Sequence, residues 1–307
     1  MYALPRCSSL SASRRGVYRL SPLEWCVGYL DVRRRRPRVS WTALPTVTAA
    51  GLVLALLAGA HEPVRVDAEQ RLVLSQLEST LLHDTAQPQY ARAVRQFDSR
   101  GYLLGIGDFS TANGEAFEVV QSYAAQVGPT PLSRRYLTVL ARLSADQDPS
   151  VTDLAGLPAA WAEASADARF RRAQDDVLES RYFAPSLSLA RALDIRTQLG
   201  VAILLDSMLQ HGNTDDVDSL PALVRRATHR AGGPPGTVPE REWLSALLRE
   251  RRATLASPAD REHRDTWPYT VGRVDVLAAL LDDGHDKLRP PLTVAPYGTP
   301  RLVGPTF

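Results

Sequence analysis

The side chains best suited to chemistry are carboxylates. Glu78 lies in Leu74-Ser75-Gln76-Leu77-Glu78-Ser79-Thr80-Leu81-Leu82, a run with helical spacing. At about 100° per residue, it falls inside the arc set by Leu74, Leu77, Leu81 and Leu82. An ionised carboxylate there loses hydration, so its pKa rises unless a cation pairs with it. A carboxyl that keeps its proton near neutral pH is what a general acid needs. The alternative is a structural Glu, bound to an Arg or lying at the edge of the stripe. Asp98 opens a segment, 98–114, that carries four glycines. Carboxylates in such segments commonly cap turns; the functional alternative is a second carboxylate facing Glu78 across a cleft. Two carboxyls with separated pKa values are the minimum for cleaving a glycosidic bond.

Asp206 is a lone charge in Val201-Ala202-Ile203-Leu204-Leu205-Asp206-Ser207-Met208-Leu209. A charge in so apolar a run must be paired or neutral. Arg249, Arg251 and Arg252 offer partners, and a buried salt bridge between lobes is the expected role. Other chemistries find little footing. Gly105-Ile106-Gly107 does not continue as a dinucleotide fingerprint, because residue 110 is Ser, and there is no P-loop or GxSxG elbow. The six histidines form no HExxH pattern, and Cys7 and Cys26 have no zinc spacing. No metal or cofactor is expected. Arg225-Arg226 and Arg249 to Arg252 lack interleaved aromatics, so they read as solvated faces and ion-pair partners, with no nucleic acid expected.

The elements that must position these residues are mostly helices. Periodicity predicts helices over 67–84, 115–127, 165–182, 186–210, 219–231, 239–256 and 270–283. The glycine-rich stretch 98–114 reads as short strands and turns, 232–236 as a loop, and 288–307 as Pro-rich and extended. The expected class is mainly α, with two helical lobes and a small β element flanking a cleft. A chain of 307 residues with 44% hydrophobic and 23% charged residues suits one large domain or two lobes. The net charge of +2 mixes two segments. Residues 1–60 hold nine Arg and two acids; the 27 basic and 32 acidic residues that follow give a net of −5. The acidic portion favours cationic partners.

Arg33 to Arg36 and Arg38 precede 23 residues without a formal charge, Val39 to His61, ending in the small residues Ala58-Gly59-Ala60. This describes a secretory signal with a cleavage site, or an anchor left in a membrane with the domain outside. The expected division is 1–60 as n-region plus signal or anchor and 61–307 as a secreted, monomeric domain. Both cysteines fall in the first segment.

Several separated segments, in order, resemble the chitosanases of glycoside hydrolase family 46, in the lysozyme-like superfamily. They are Leu77-Glu78-Ser79; Phe97-Asp98-Ser99-Arg100-Gly101-Tyr102 with Gly105, Phe109, Gly114 and Glu118 to Tyr123; Ala173 to Asp176 with Arg181-Tyr182-Phe183 and Pro185; Asp206 followed by His211-Gly212; and Pro290-Pro291 with Tyr297-Gly298. The resemblance implies a two-lobed lysozyme-like fold. It also implies endo-hydrolysis of β-1,4-linked glucosamine polymers with inversion. By position, Glu78 would be the general acid and Asp98 the general base. Arg100 would support the Asp98 turn, and Glu115 would bind a glucosamine ammonium. Asp206 and Arg251 would belong to a buried ion-pair network; its other arginine has no match in the sequence, the expected position falling near Trp267 or Arg264. Three departures stand out. Leu103 occupies the position where the family usually has Thr, whose hydroxyl helps hold the attacking water. The Glu78–Asp98 interval is about two residues longer. Arg92, Val94 and Arg95 replace polar and aromatic residues before the base, and arginines beside a groove for a polycation are awkward. A lysozyme-like enzyme acting on peptidoglycan and a non-catalytic extracellular glycan-binding protein remain alternatives, the latter kept alive by Leu103.

Overall fold

In a computed structural model, residues 63–304 are described. The basic and uncharged N-terminal segments with Cys7 and Cys26, and so the signal or anchor expectation, lie outside them. Helix α1 (Ala68–His83) starts at a reciprocal capping box. The Asp67 carboxylate accepts from Gln70 N at 2.8 Å, and the Gln70 side chain accepts from Asp67 N at 3.0 Å. Three short antiparallel strands follow, β1 (Ala93–Arg95), β2 (Tyr102–Leu104) and β3 (Phe109–Ser110), with Val94 opposite Leu103 and Leu103 opposite Ser110. The β1–β2 turn needs Gly101, whose φ is +72°. A Cβ there would meet Thr111 Oγ1 at 2.4 Å and the Pro149 carbonyl at 3.1 Å.

The rest is helical: α2 (Glu115–Val127), α3 (Pro131–Asp146), α4 (Leu157–Ala164), α5 (Ala168–Leu178), α6 (Ala184–Ala192), α7 (Gln198–His211), α8 (Leu220–Ala231), α9 (Glu240–Ala256) and α10 (Val271–Asp282). One π-turn, Glu179–Phe183, joins α5 to α6 without a break in the chain path. A second hairpin, β4 (Leu292–Val294) with β5 (Arg301–Val303), closes the described chain.

Two apolar cores divide these elements. One gathers β2, β3 and α2 to α5 around Phe109, Tyr136, Trp161 and Phe170. The other gathers α1, α6 to α10 and the second hairpin around Leu77, Leu204, Trp243 and Leu277. The architecture is thus mainly α with two lobes, as expected.

Element boundaries depart from the sequence reading in specific places. The predicted helix 186–210 is two helices. Asp194 turns the chain at φ +56°, and Thr197 starts α7 by accepting from Gly200 N at 3.0 Å. Both helices face the same core, so apolar residues continue across the break. The predicted helix 165–182 begins at the Asp167 cap and passes into the π-turn. Helix α3 lies outside the predicted helices, although Thr130-Pro131 and the spacing of Leu132, Tyr136, Leu140 and Leu143 encode it. The C-terminal extended stretch pairs into β4–β5 instead of running free.

Candidate active site

A groove of about 690 Å³ runs between the two cores. Leu82, Met208, Trp267, Arg273 and Tyr297 line it on the α1/α7/α10 side; Arg100, Leu103, Ser110 and Glu115 line it on the β side. Neither Glu78 nor Asp98 is itself among the lining residues; each is tied to the lining through a neighbour. Leu82 is one helical turn beyond Glu78, and Arg100 is the direct partner of Asp98.

Glu78 is buried, at 5% exposure, and neither carboxylate oxygen has a hydrogen-bond partner among the described residues. Burial pushes its pKa well above the usual carboxylate range. The Asp206 charge adds to this, against Arg273 and Arg251. One structural alternative for Glu78 was an Arg partner, but both nearby guanidinium groups are held by Asp206. Arg251 donates from Nη2 to Asp206 Oδ2 at 2.7 Å. Arg273 donates from Nε to Oδ1 at 3.0 Å and also from Nη2. All three side chains are buried. Arg251 Nε and Nη1 are themselves without partners.

The second arginine of this cluster is therefore Arg273, a correction to the region around Arg264 and Trp267. Arg264 instead donates to the Pro258 and Ala259 carbonyls. Trp267 stacks on His263, with ring centroids 4.1 Å apart. No local pattern marks Arg273, since α10 reaches Asp206 only through the packing of α10 on α7.

Asp98 sits in the turn between β1 and β2. It accepts from Arg100 N at 3.0 Å and from Arg100 Nη2 at 2.6 Å. Partial burial raises its pKa, but the Arg100 hydrogen bonds and charge, with His263 nearby, outweigh that and leave it below the usual range. The two carboxyls are therefore pushed in opposite directions, one holding its proton and one shedding it. Opposed shifts of this kind are what an acid and a base require of two carboxyls.

Glu115 opens α2 and lines the groove, but its carboxylate is engaged. Oε2 accepts from Ser110 N at 2.9 Å, and Oε1 accepts from the Tyr182 hydroxyl. Burial lifts its pKa to about 7, against the Ser110, Asn113 and Arg181 interactions. Leu103 lines the groove beside the Asp98 turn and is nearly buried. The hydroxyl nearest in the strand register is that of Ser110, which donates to the Arg100 carbonyl at 2.8 Å. Tyr297, in the motif noted near the C-terminus, donates its hydroxyl to the Leu81 carbonyl at 2.7 Å, fastening the C-terminal segment over α1.

The lining is acidic. Asp108, Glu115, Asp216, Asp218 and Asp260 face the groove, whereas its two arginines, Arg100 and Arg273, are each paired with a carboxylate behind the wall. Among the described residues, no cluster of His, Cys, Asp or Glu could hold a metal ion.

The model of glycosyl hydrolase family 46 matches residues 71–292. The chain belongs to that family. It is a glycoside hydrolase, and the lysozyme-like architecture is that of its relatives. Among family 46 proteins, a chitosanase from Bacillus subtilis (strain 168) is 35% identical over 230 residues, covering 75% of this chain and 83% of its own. The Gynuella sunshinyii family 46 chitosanase, solved with chitotetraose, superposes with a TM-score of 0.76 at 36% identity, covering 79% of this chain and all of its own. A mutant chitosanase from Bacillus subtilis MY002, solved with six GlcN units, gives a TM-score of 0.72 at 35% identity, covering 75% and 95%.

Proposed function

We propose that this family 46 enzyme cleaves chitosan internally, at β-1,4 bonds between glucosamine units, with inversion, and that it works outside the cell. Glu78 is the general acid and Asp98 the general base. The observation that carries this reading is the opposed pair of environments: a buried carboxyl with no hydrogen-bond partner among the described residues and an Arg100-held carboxylate. The acidic lining supports a polycationic substrate, and the relatives solved with chitotetraose and GlcN support glucosamine as the repeating unit.

The reaction runs as follows. Glu78 donates its proton to the leaving glycosidic oxygen. Asp98 takes a proton from a water on the opposite ring face as that water attacks the anomeric carbon. Inversion calls for carboxyls roughly 6.5–9.5 Å apart, leaving room for the water. The carboxylate left on Glu78 meets Arg251, whose Nε and Nη1 hydrogens are unspent in the resting enzyme. Asp206 holds both arginines in place, so the new negative charge forms beside fixed cations instead of in an apolar void.

The test is reducing-sugar release from chitosan, with the anomeric form of the first product followed by NMR. Turnover that yields the inverted anomer and is lost in Glu78→Gln and in Asp98→Asn supports the scheme. Retention of configuration, or survival of Asp98→Asn, favours the peptidoglycan-type variant in which a single Glu suffices. Activity in the culture medium of the native host tests the extracellular location, for which the basic and uncharged N-terminal run is the support.

A further inference from the structure

Arg92 presented a difficulty for a groove that binds a polycation. The structure resolves it through Asp108, a groove-lining residue at the end of the Gly105–Gly107 turn. Arg92 Nε donates to Asp108 Oδ1 at 3.0 Å. Asp108 Oδ2 accepts nothing from the described residues. His83 Nδ1 lies 4.0 Å from Oδ1; its side chain is 2% exposed, and Nδ1 has no partner. Its other nitrogen, Nε2, lies 3.3 Å from the Ile106 carbonyl. Burial lowers the His83 pKa, with Arg92 and Arg273 acting the same way against Asp108 and Ile106. Burial thus disfavours the charged imidazole, the form that would compete for Asp108.

Glu115 offers a contrast. It was the expected ammonium contact, yet both of its oxygens are engaged internally and it gains a proton near neutral pH. Asp108 instead presents an open oxygen on the same groove. A glucosamine ammonium is a compact cation with three donors and pairs well with such an oxygen, whereas an N-acetyl group carries no charge and meets a desolvated acid.

We infer that Asp108 is a specificity-determining residue that takes the free ammonium of one glucosamine unit through Oδ2, and that Arg92 is its built-in competitor. The inference rests on the chitosan reading above. Arg92 neutralises Asp108 in the empty groove, so the ammonium gains only the part of the carboxylate that Arg92 leaves free. Removing each member of the pair should therefore act in opposite directions, which no purely structural ion pair would do.

The experiment measures kcat and KM on fully deacetylated chitosan and on chitosan about half acetylated, at fixed ionic strength, for the parent, Asp108→Asn and Arg92→Gln. Asn matches Asp in size and tolerates the backbone φ of +49° found here. For Asp108→Asn, KM on the deacetylated polymer rises about fivefold, the scale of one charge-assisted hydrogen bond in a partly exposed site. KM on the half-acetylated polymer rises less, and kcat holds. For Arg92→Gln, KM on the deacetylated polymer falls about threefold. Equal rises in both variants, or no change in either, overturn the inference. Should Asp108→Asn fail to fold, the sign of the Arg92→Gln shift decides alone. A parent with no turnover on either polymer removes the chitosan reading and this inference together. Equal shifts with parent turnover intact remove only the inference.

Discussion

The two walls of the groove solve opposite electrostatic problems. On the helical wall, Glu78, Asp206, Arg251 and Arg273 are all buried, and charge is tolerated because two arginines share one aspartate. Glu78 is left out of that pairing, and its pKa is raised well above the usual carboxylate range. On the β wall, Asp98 sits in a partly wet turn, clasped by a neighbour two residues away, and stays ionised. One carboxyl's pKa is thus raised by long-range packing that spends its cations elsewhere, and the other's is lowered by a local turn that supplies one. The first arrangement needs the whole lobe; the second needs about five residues.

The largest expected break in this contrast is chemical. Glu78→Gln and Asp98→Asn each lower kcat on chitosan by roughly three orders of magnitude, the scale of a lost general acid or base, as read by reducing-sugar release. Equal activity in Glu78→Gln would remove Glu78 from the mechanism.

Next comes stability on the helical wall. Asp206→Ala strands Arg251 and Arg273, a cost of about 3–5 kcal/mol for a broken buried pair. For a domain of this size that is a fall in Tm on the order of 10 °C. An unchanged melting curve would refute the network as a stabilising element. The corresponding loss on the β wall is smaller, because Arg100 is about one-third exposed and surface ion pairs are weak.

The pH profile sharpens the contrast further. Asp98 must be ionised, and its depressed pKa lets activity persist below the ordinary carboxylate range on the acid limb. Arg100→Gln leaves burial unopposed, so that limb moves to higher pH. Glu78 must be protonated, so the alkaline limb follows its raised pKa. The same shift appears in stability. A carboxyl whose pKa is raised on folding contributes fully below its unfolded value and loses that contribution as pH rises through the folded one. The Tm of the parent relative to Glu78→Gln therefore declines from about pH 4 upward. A gap that stays constant with pH would mean Glu78 is ionised in the native state.

The smallest effect concerns the water. Leu103 lines the groove with a side chain that has no hydroxyl, at the position where the family usually has Thr. Leu103→Thr should raise kcat by a fewfold, about the value of one neutral hydrogen bond, without changing KM. No gain in kcat would mean that another group already holds the water.

Much of this division follows from how far each residue's partners lie along the chain. The apolar arc around Glu78 could be read from helical spacing, and the Asp98-to-Arg100 clasp is a two-residue interval within one turn. Asp206 needed a cation and Arg249, Arg251 and Arg252 offered three; the family resemblance singled out Arg251. Arg273 could not, because it lies 67 residues from Asp206 and nothing in its own helix distinguishes it from a surface charge. The break between α6 and α7 was hidden for a related reason: both helices bury the same kind of side chain in the same core, so the apolar pattern carries no mark of the turn.

By itself, the sequence determined the helical class, the apolar setting of Glu78 and the polar turn of Asp98, because each depends on periodicity or on neighbours within a few residues. Only the tertiary structure decided which arginines Asp206 holds, that Glu78 has none, that Glu115 is spent on Ser110 and Tyr182, and that Asp108 offers the open oxygen. Those outcomes are set by which side chain reaches a limited number of charges first when the helices pack. That competition takes place in space, between residues that can lie far apart along the chain.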